Sequence, residues 1–184
     1  MKILVILTLL LVHSVAWAQA GDEPALNYSF GEVRYIDVDN GGDGFELGGS
    51  FQFANNWFGV ASYSWYDLDR VVDGSSFEIG AGYILPFQAD WDFQFNARLI
   101  RAEIDTPVGS INDTGFGLLG GVRGMIMPQW EMRGNLHYVN VDDSDVYFEI
   151  AGDWYFTPQI AAGLSVEFGG NADVWSLGAR FYFD

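Results

Sequence analysis

Charged side chains recur through the chain at positions that a strand would bring to one side: Glu46, Glu78, Asp92, Arg98, Arg123, Glu131, Arg133, Glu149, Asp153, Glu167 and Arg180. Alternate residues of a β-strand share a face. Carboxylates and guanidiniums gathered in an interior must pair, because unpaired buried charge is costly. The preferred reading is therefore an ion-pair network that fills the interior and holds strand register. The alternative is a narrow, charge-lined pore for ions or small solutes. His137, the one histidine beyond residue 20, falls on the same face near the end of its strand. An imidazole beside acids is raw material for a general base. No cysteine nucleophile, second histidine or Ser-His-acid spacing accompanies it. A rim hydrolase centred on His137 is thus the weakest alternative, and the chain reads as non-enzymatic with no cofactor.

A second set of acids lies between the strand-like runs. Asp37-x-Asp39-x-Gly41-x-Asp43 echoes the spacing of a calcium loop, and Asp142-Asp143-Ser144-Asp145 adds another cluster. The echo is partial. The fifth position offers no side-chain oxygen and no bidentate glutamate follows at the proper distance, so a hairpin turn is the better reading. A diffuse role fits more easily: an acidic rim can share the divalent cations that bridge phosphate groups in an outer leaflet.

The elements that would position these groups follow from a repeat. Phe45-Glu46-Leu47-Gly48-Gly49 returns as Phe77 to Ala81, Phe116 to Gly120, Phe148 to Gly152 and Trp175 to Ala179. In each copy an aromatic, an aliphatic and a small residue alternate with Glu, Gly or Ser, which is period two and marks the opening of a strand. Between such runs two kinds of connection alternate. One is acidic and Gly-rich (39–43, 69–75, 105–113, 142–145, 169–173). The other is very short (54–56, 86–90, 127–129, 157–159). They separate ten strands, at about 26–38, 44–53, 57–68, 76–86, 91–103, 114–126, 130–141, 146–156, 160–168 and 174–183. Runs of about ten residues tilted by ~40° cover ~25 Å, the height of a membrane barrel's apolar band.

Volume decides which face is inside. One face carries Phe45, Leu47, Phe51, Phe53, Phe77, Ile79, Phe93, Phe95, Phe148, Ile150, Trp175 and Leu177. A closed barrel of eight to ten strands is just filled by ordinary side chains, so this set would overfill it. The other face carries Gly44, Gly48, Ser50, Gly80, Gly82, Gly163, Ser165, Ser176 and Gly178 with most of the strand charges. The small polar face therefore goes in, with Tyr147, Tyr155 and Tyr182 narrowing the interior. The apolar face goes out to lipid. A soluble sandwich burying its aromatics between two sheets is the competing all-β arrangement. Trp57, Trp91 and Trp130 open strands after short turns, and Trp154 precedes another, as an interfacial girdle requires.

Composition and ends agree. Met1-Lys2, the apolar run Ile3 to Val12 and the small-x-small sites ending at Ala18 and Ala20 read as a signal peptide, 1–20, for Sec export. Residues 21–184 are then one barrel domain carrying 7 Arg and no Lys against 25 Asp plus Glu. That balance argues against nucleic acid, which needs clustered cations. There is no cysteine, so stability comes from closure and packing rather than disulfides.

The signal peptide, the hairpin repeat and the aromatic last strand, Arg180-Phe181-Tyr182-Phe183, together resemble the small outer-membrane β-barrel proteins of Gram-negative bacteria, the OmpA-like and OmpX-like group. The resemblance covers the whole chain beyond the signal peptide. It implies a closed antiparallel up-and-down transmembrane barrel in the outer membrane, ten strands here with eight as the alternative. Its partners would be outer-membrane lipid and lipopolysaccharide, with periplasmic chaperones and the barrel-assembly machinery during biogenesis. In that family an aromatic closing the last strand is the assembly signal, which Phe181 and Phe183 match. Asp184 after them and the ten strands depart from the usual pattern. No second domain follows, so a peptidoglycan-binding role is not implied. The function expected is structural or surface-interactive.

Overall fold

The computed structural model describes residues 26–39, 41–69, 72–170 and 172–183; the signal-peptide stretch 1–20 and Asp184 lie outside the described residues. Ten strands follow in chain order: β1 Phe30–Val38, β2 Gly42–Ala54, β3 Trp57–Asp69, β4 Val72–Gln88 and β5 Trp91–Thr106 form the first half. The second half is β6 Gly109–Met127, β7 Trp130–Val141, β8 Asp143–Thr157, β9 Ile160–Phe168 and β10 Val174–Tyr182. Each strand pairs antiparallel with its sequence neighbours, and β1 closes on β10 from Phe30↔Tyr182 to Val38↔Val174. The sheet is a closed barrel of ten strands, which excludes both the eight-stranded count and the two-sheet sandwich.

The faces sort as volume requires. Along β5, Asp92, Gln94, Asn96 and Ile100 are buried, while Phe93, Phe95 and Leu99 are exposed. Leu47 is 61% exposed and Leu99 64%. Moving such a side chain from water into an apolar medium is worth ~1.5–3 kcal/mol. Dozens of them around the wall make lipid the solvent that this exterior fits. The small inward residues are clearances for larger neighbours. A Cβ on Gly82 would fall 2.2 Å from Phe58 Cζ, one on Gly163 2.1 Å from Asp153 Oδ1, and one on Gly178 2.6 Å from Arg34 Cγ.

Two expectations need correction. Four of the five repeat copies do not open their strands: Phe45, Phe77, Phe116 and Phe148 lie inside β2, β4, β6 and β8, whereas Trp175 is the second residue of β10. Among the described residues the acidic, Gly-rich stretches 69–75, 105–113 and 142–145, read as loops, are largely strand, so that 105–113 shrinks to a turn at Pro107-Val108, whereas 39–43 keeps its turn and 169–173 lies between β9 and β10. Cross-strand hydrogen bonding overrides the poor β-propensity of Asp and Gly once a hairpin is in register. At the opposite end the reverse holds, since residues 26–29 leave the ladder before β1. The barrel thus has a terminal end, with both termini and four two-residue turns, and a loop end. Each terminal-end turn follows a register shift, at Gln52/Ala54, Pro86/Gln88, Met125/Met127 and Tyr155/Thr157. At the loop end Asp142 turns β7 into β8 with φ 62°, a left-handed conformation that Asp tolerates.

Candidate functional site

The terminal end of the lumen is filled by side chains. Residues 26–29 are latched across it: Ser29 N–H donates to Asn27 Oδ1 (2.7 Å), Gln52 N–H to Ser29 Oγ (3.2 Å) and Phe183 N–H to the Ser29 carbonyl (3.0 Å). This latch carries Tyr28 into the lumen, against Phe58 (centroids 5.2 Å apart) and Ile84, all three 3% exposed. Beside them Tyr155 and Tyr182 stack at 5.2 Å, each 2% exposed. Tyr28 Oη donates to Asp92 Oδ2 at 3.2 Å, and the Arg123 guanidinium lies 4.5 Å over the Tyr28 ring. An aromatic face and a guanidinium attract each other, more strongly where water is excluded.

Directly above lies a balanced tier of charge. Arg123 meets Glu131 through two parallel bonds of 2.8 Å, and Tyr155 Oη donates to the same carboxylate at 2.6 Å. Arg133 bridges Glu131 and Asp153, while Arg180 bridges Glu32 (2.8 Å) and Asp153 (3.4 Å). Three guanidiniums thus face the three carboxylates of Glu32, Glu131 and Asp153, and such pairing is what makes buried charge tolerable. The side chains of Arg123 and Glu131 are 2% and 0% exposed.

Nearer the loop end the lumen opens. A cavity of about 410 Å³ runs along it, lined among others by Ser50, Glu78, Arg98, His137, Tyr147, Glu149 and Glu167. Arg34 binds Glu46, which also accepts from Ser64 Oγ at 3.0 Å; Arg98 binds Glu78 at 2.8 Å. Side-chain exposure rises to 23% for Arg34 and 26% for Arg98. Asn135 Nδ2 donates to Glu149 Oε2 at 2.7 Å, and His137 Nε2 lies 3.2 Å from the same oxygen. The imidazole stacks on Tyr147 at 4.5 Å and 13°. His137 is therefore held inside the wall at 7% exposure rather than on a rim. The lumen is thus lined by buried side chains at the terminal end and widens toward the loop end.

The outer wall has its own order. At the terminal end Trp57 packs edge-on against Tyr83 (5.0 Å) and Trp130 against Trp154 (4.8 Å), with Trp91 opening β5 nearby. At the loop end Trp175, Tyr35, Phe45, Trp65 and Tyr63 form a continuous chain of rings 5.4–6.0 Å apart. The eight residue steps from Trp57 to Trp65 rise ~20 Å along a strand tilted ~40°, close to the apolar height of a membrane barrel. Two residues beyond the upper belt comes a ladder of aspartates in direct cross-strand register: Asp37↔Asp43, Asp43↔Asp67, Asp67↔Asp73 and Asp73↔Asp105. The change from aromatic ring to carboxylate within two residues marks a boundary between an apolar and an aqueous medium.

Of the charges singled out in the sequence, Glu46, Glu78, Arg98, Arg123, Glu131, Arg133, Glu149, Asp153 and Arg180 come together in the lumen. Two stand apart. Asp92 takes its hydrogen bond from Tyr28. Glu167, opposite Glu149 in the ladder, neither accepts a side-chain hydrogen bond nor pairs with a cation among the described residues. Glu32 and Arg34 were missed, although Val33 and Tyr35 alternating outward on β1 carried their signal. Tyr28 had no such signal, because its inward aim comes from a turn rather than from strand parity. Asp37 and Asp43 face each other across the β1–β2 hairpin with Asp39 in its turn. Among the described residues no group of three His, Cys, Asp or Glu is placed to hold a metal ion. Phe181 (58% exposed) and Phe183 (39%) lie on the outer wall at the end of the last strand.

No family model matches the chain, and no curated protein matches it in sequence. Solved structures resemble it in fold. The KdgM porin is 14% identical, with 84% of this chain and 99% of that chain covered at a TM-score of 0.53. The KdgM porin in complex with disordered oligogalacturonate is 14% identical over the same shares at 0.52. The NanC porin is 11% identical, with 83% and 100% covered at 0.57. At these identities the likeness concerns the fold alone, a closed antiparallel barrel of the outer-membrane kind.

Proposed function

We propose that this chain is a non-enzymatic integral protein of the bacterial outer membrane with a structural or surface-interaction role, its lumen plugged by its own side chains. The observation that carries the reading is the terminal-end layer, where Tyr28, Phe58, Ile84, Tyr155 and Tyr182 are all within 3% of full burial beneath a neutralised Arg123–Glu131 pair. Such a layer leaves no wetted path for ions. The outer belts and the aspartate ladder support lipid around the wall and water above it. On this reading residues 1–20 direct Sec export, and periplasmic chaperones and the barrel-assembly machinery act through the end of β10, at Phe181 and Phe183. The ladder faces lipopolysaccharide, whose phosphates it meets through shared divalent cations.

The second reading, a narrow pore, is favoured by the 410 Å³ cavity and by the likeness to two porins. Oligogalacturonate, bound in one of those structures, is a polyanion. The arginines of this lumen are already occupied by carboxylates, so an anionic sugar chain would meet little free positive charge. Planar-bilayer recording of the refolded barrel separates the two. The closed lumen predicts no stable unitary conductance, and reproducible channel steps would replace it with the pore.

A further inference from the structure

The charges of the lumen do not cancel evenly along its length. At the terminal end Arg123, Arg133 and Arg180 match Glu32, Glu131 and Asp153. Above them Arg34 answers Glu46 and Arg98 answers Glu78. What remains, besides Asp92 with its hydrogen bond from Tyr28 at the terminal end, is Glu149 and Glu167, directly opposite each other on β8 and β9 and both on the wall of the cavity. Asn135 and His137 reach Glu149, but no guanidinium does, and Glu167 has neither among the described residues. Like charges directly opposite on one face repel, and do so more strongly where walls of low dielectric replace water. Independently, Ser50 Oγ on the wall of the same cavity is buried, with Ser50 6% exposed, and has no hydrogen-bond partner. Ser50 lies toward the terminal end, beside Phe30 at the start of β1, whereas Glu167 is beside Val174 at the loop end of β10. An unsatisfied buried hydroxyl and two facing carboxylates that no guanidinium contacts, at two heights of one elongated cavity, suit an occupant that donates hydrogen bonds and carries positive charge. The Tyr147 ring on the same wall offers a further surface for a cation. A cavity of this volume is within the range of small-molecule sites.

We propose that the lumen binds an elongated organic cation with two or more ammonium groups, a linear polyamine in chemical class, entering from the loop end. One ammonium lies between Glu149 and Glu167, and the chain extends toward Ser50. This deepens the closed-lumen reading, because a cavity open only at the loop end retains its ligand rather than passing it, but it does not share that reading's test. The experiment is isothermal titration of the folded, detergent-solubilised barrel with spermidine at low salt, repeated for Glu167→Gln, Ser50→Ala and, on the outer ladder, Asp67→Asn. Folding of each variant is verified by heat-modifiable mobility. Saturable one-to-one binding is expected, weakened about tenfold by Glu167→Gln, measurably by Ser50→Ala, and not by Asp67→Asn. Glu167→Gln removes no ion pair and leaves the barrel folded. Magnesium at the same ionic strength is expected to compete only weakly. No saturable binding at millimolar spermidine, an unchanged affinity in Glu167→Gln, or displacement by equimolar magnesium would each overturn the proposal. Conductance appearing in the bilayer assay would overturn the closed lumen and leave the spermidine result standing on its own.

Discussion

The lower lumen and the loop-end rim are both dense in carboxylates, and they treat them oppositely. In the lumen, Glu131 has Arg123, Arg133 and the Tyr155 hydroxyl around it and is wholly buried. On the rim, Asp37, Asp43, Asp67, Asp73 and Asp105 stand side by side on the outer face. The solvent makes the difference. Inside, an unmatched charge has nothing to replace its lost hydration, so partners are obligatory. Outside, water keeps each carboxylate hydrated and its high dielectric weakens the repulsion between neighbours, so like charges can be stacked at modest cost. The same residue type therefore stabilises in one place and mildly destabilises in the other, and substitutions should reveal opposite signs.

The largest effect is expected from Glu131→Ala, which leaves guanidiniums buried without their anion and should cost ~3–5 kcal/mol. Urea unfolding from lipid vesicles measures it, and a loss under 1 kcal/mol would mean that water reaches this layer. Replacing both partners, Arg123→Leu with Glu131→Leu, should cost less than Glu131→Ala alone, because no charge is stranded. A double variant worse than the single would show that the pair is net favourable. Next in size is Tyr28→Ala combined with Phe58→Ala. Truncating packed aromatics costs ~3–5 kcal/mol at a fully packed site, less here because Tyr28 sits on a short latch at the barrel mouth. Its sharper readout is electrical: the doubly truncated barrel should conduct where the parent is silent, and continued silence would place the barrier in the ion-pair tier above. The smallest effect is expected from Asp67→Asn, which relieves repulsion from Asp43 and Asp73. It should stabilise by ~0.2–1 kcal/mol at low salt and by less as salt rises. A destabilising Asp67→Asn would mean that a bound cation already neutralises the ladder, and the midpoint would then respond to a chelator.

Much of this was legible before any coordinates. Period-two alternation placed Phe93, Phe95 and Leu99 on one face and Asp92, Gln94 and Asn96 on the other, since parity is a property of any strand. Comparing the volumes of the two faces turned the bulky one outward. The spacing of the short turns yielded ten strands and, through the need to pair both edges, closure. Strand ends were less legible. Asp and Gly read as loop by local preference, yet 109–113 is strand because β5 supplies hydrogen bonds to it. The upper belt of Tyr35, Phe45, Trp65 and Trp175 was hidden for the same reason, since it appears only when separate strands are set in register.

By itself the sequence determined the architecture: which face meets lipid, that the interior is charged, and that one end of the barrel is acidic. These are consequences of parity, volume and composition, which need no partner to be identified. The tertiary structure decided who pairs with whom. Register set Glu149 against Glu167 and aligned five aspartates on the rim. A turn before the first strand sent Tyr28 into the lumen, against Phe58 and Ile84. Those outcomes depend on distances between residues far apart in the chain, so no local pattern encodes them.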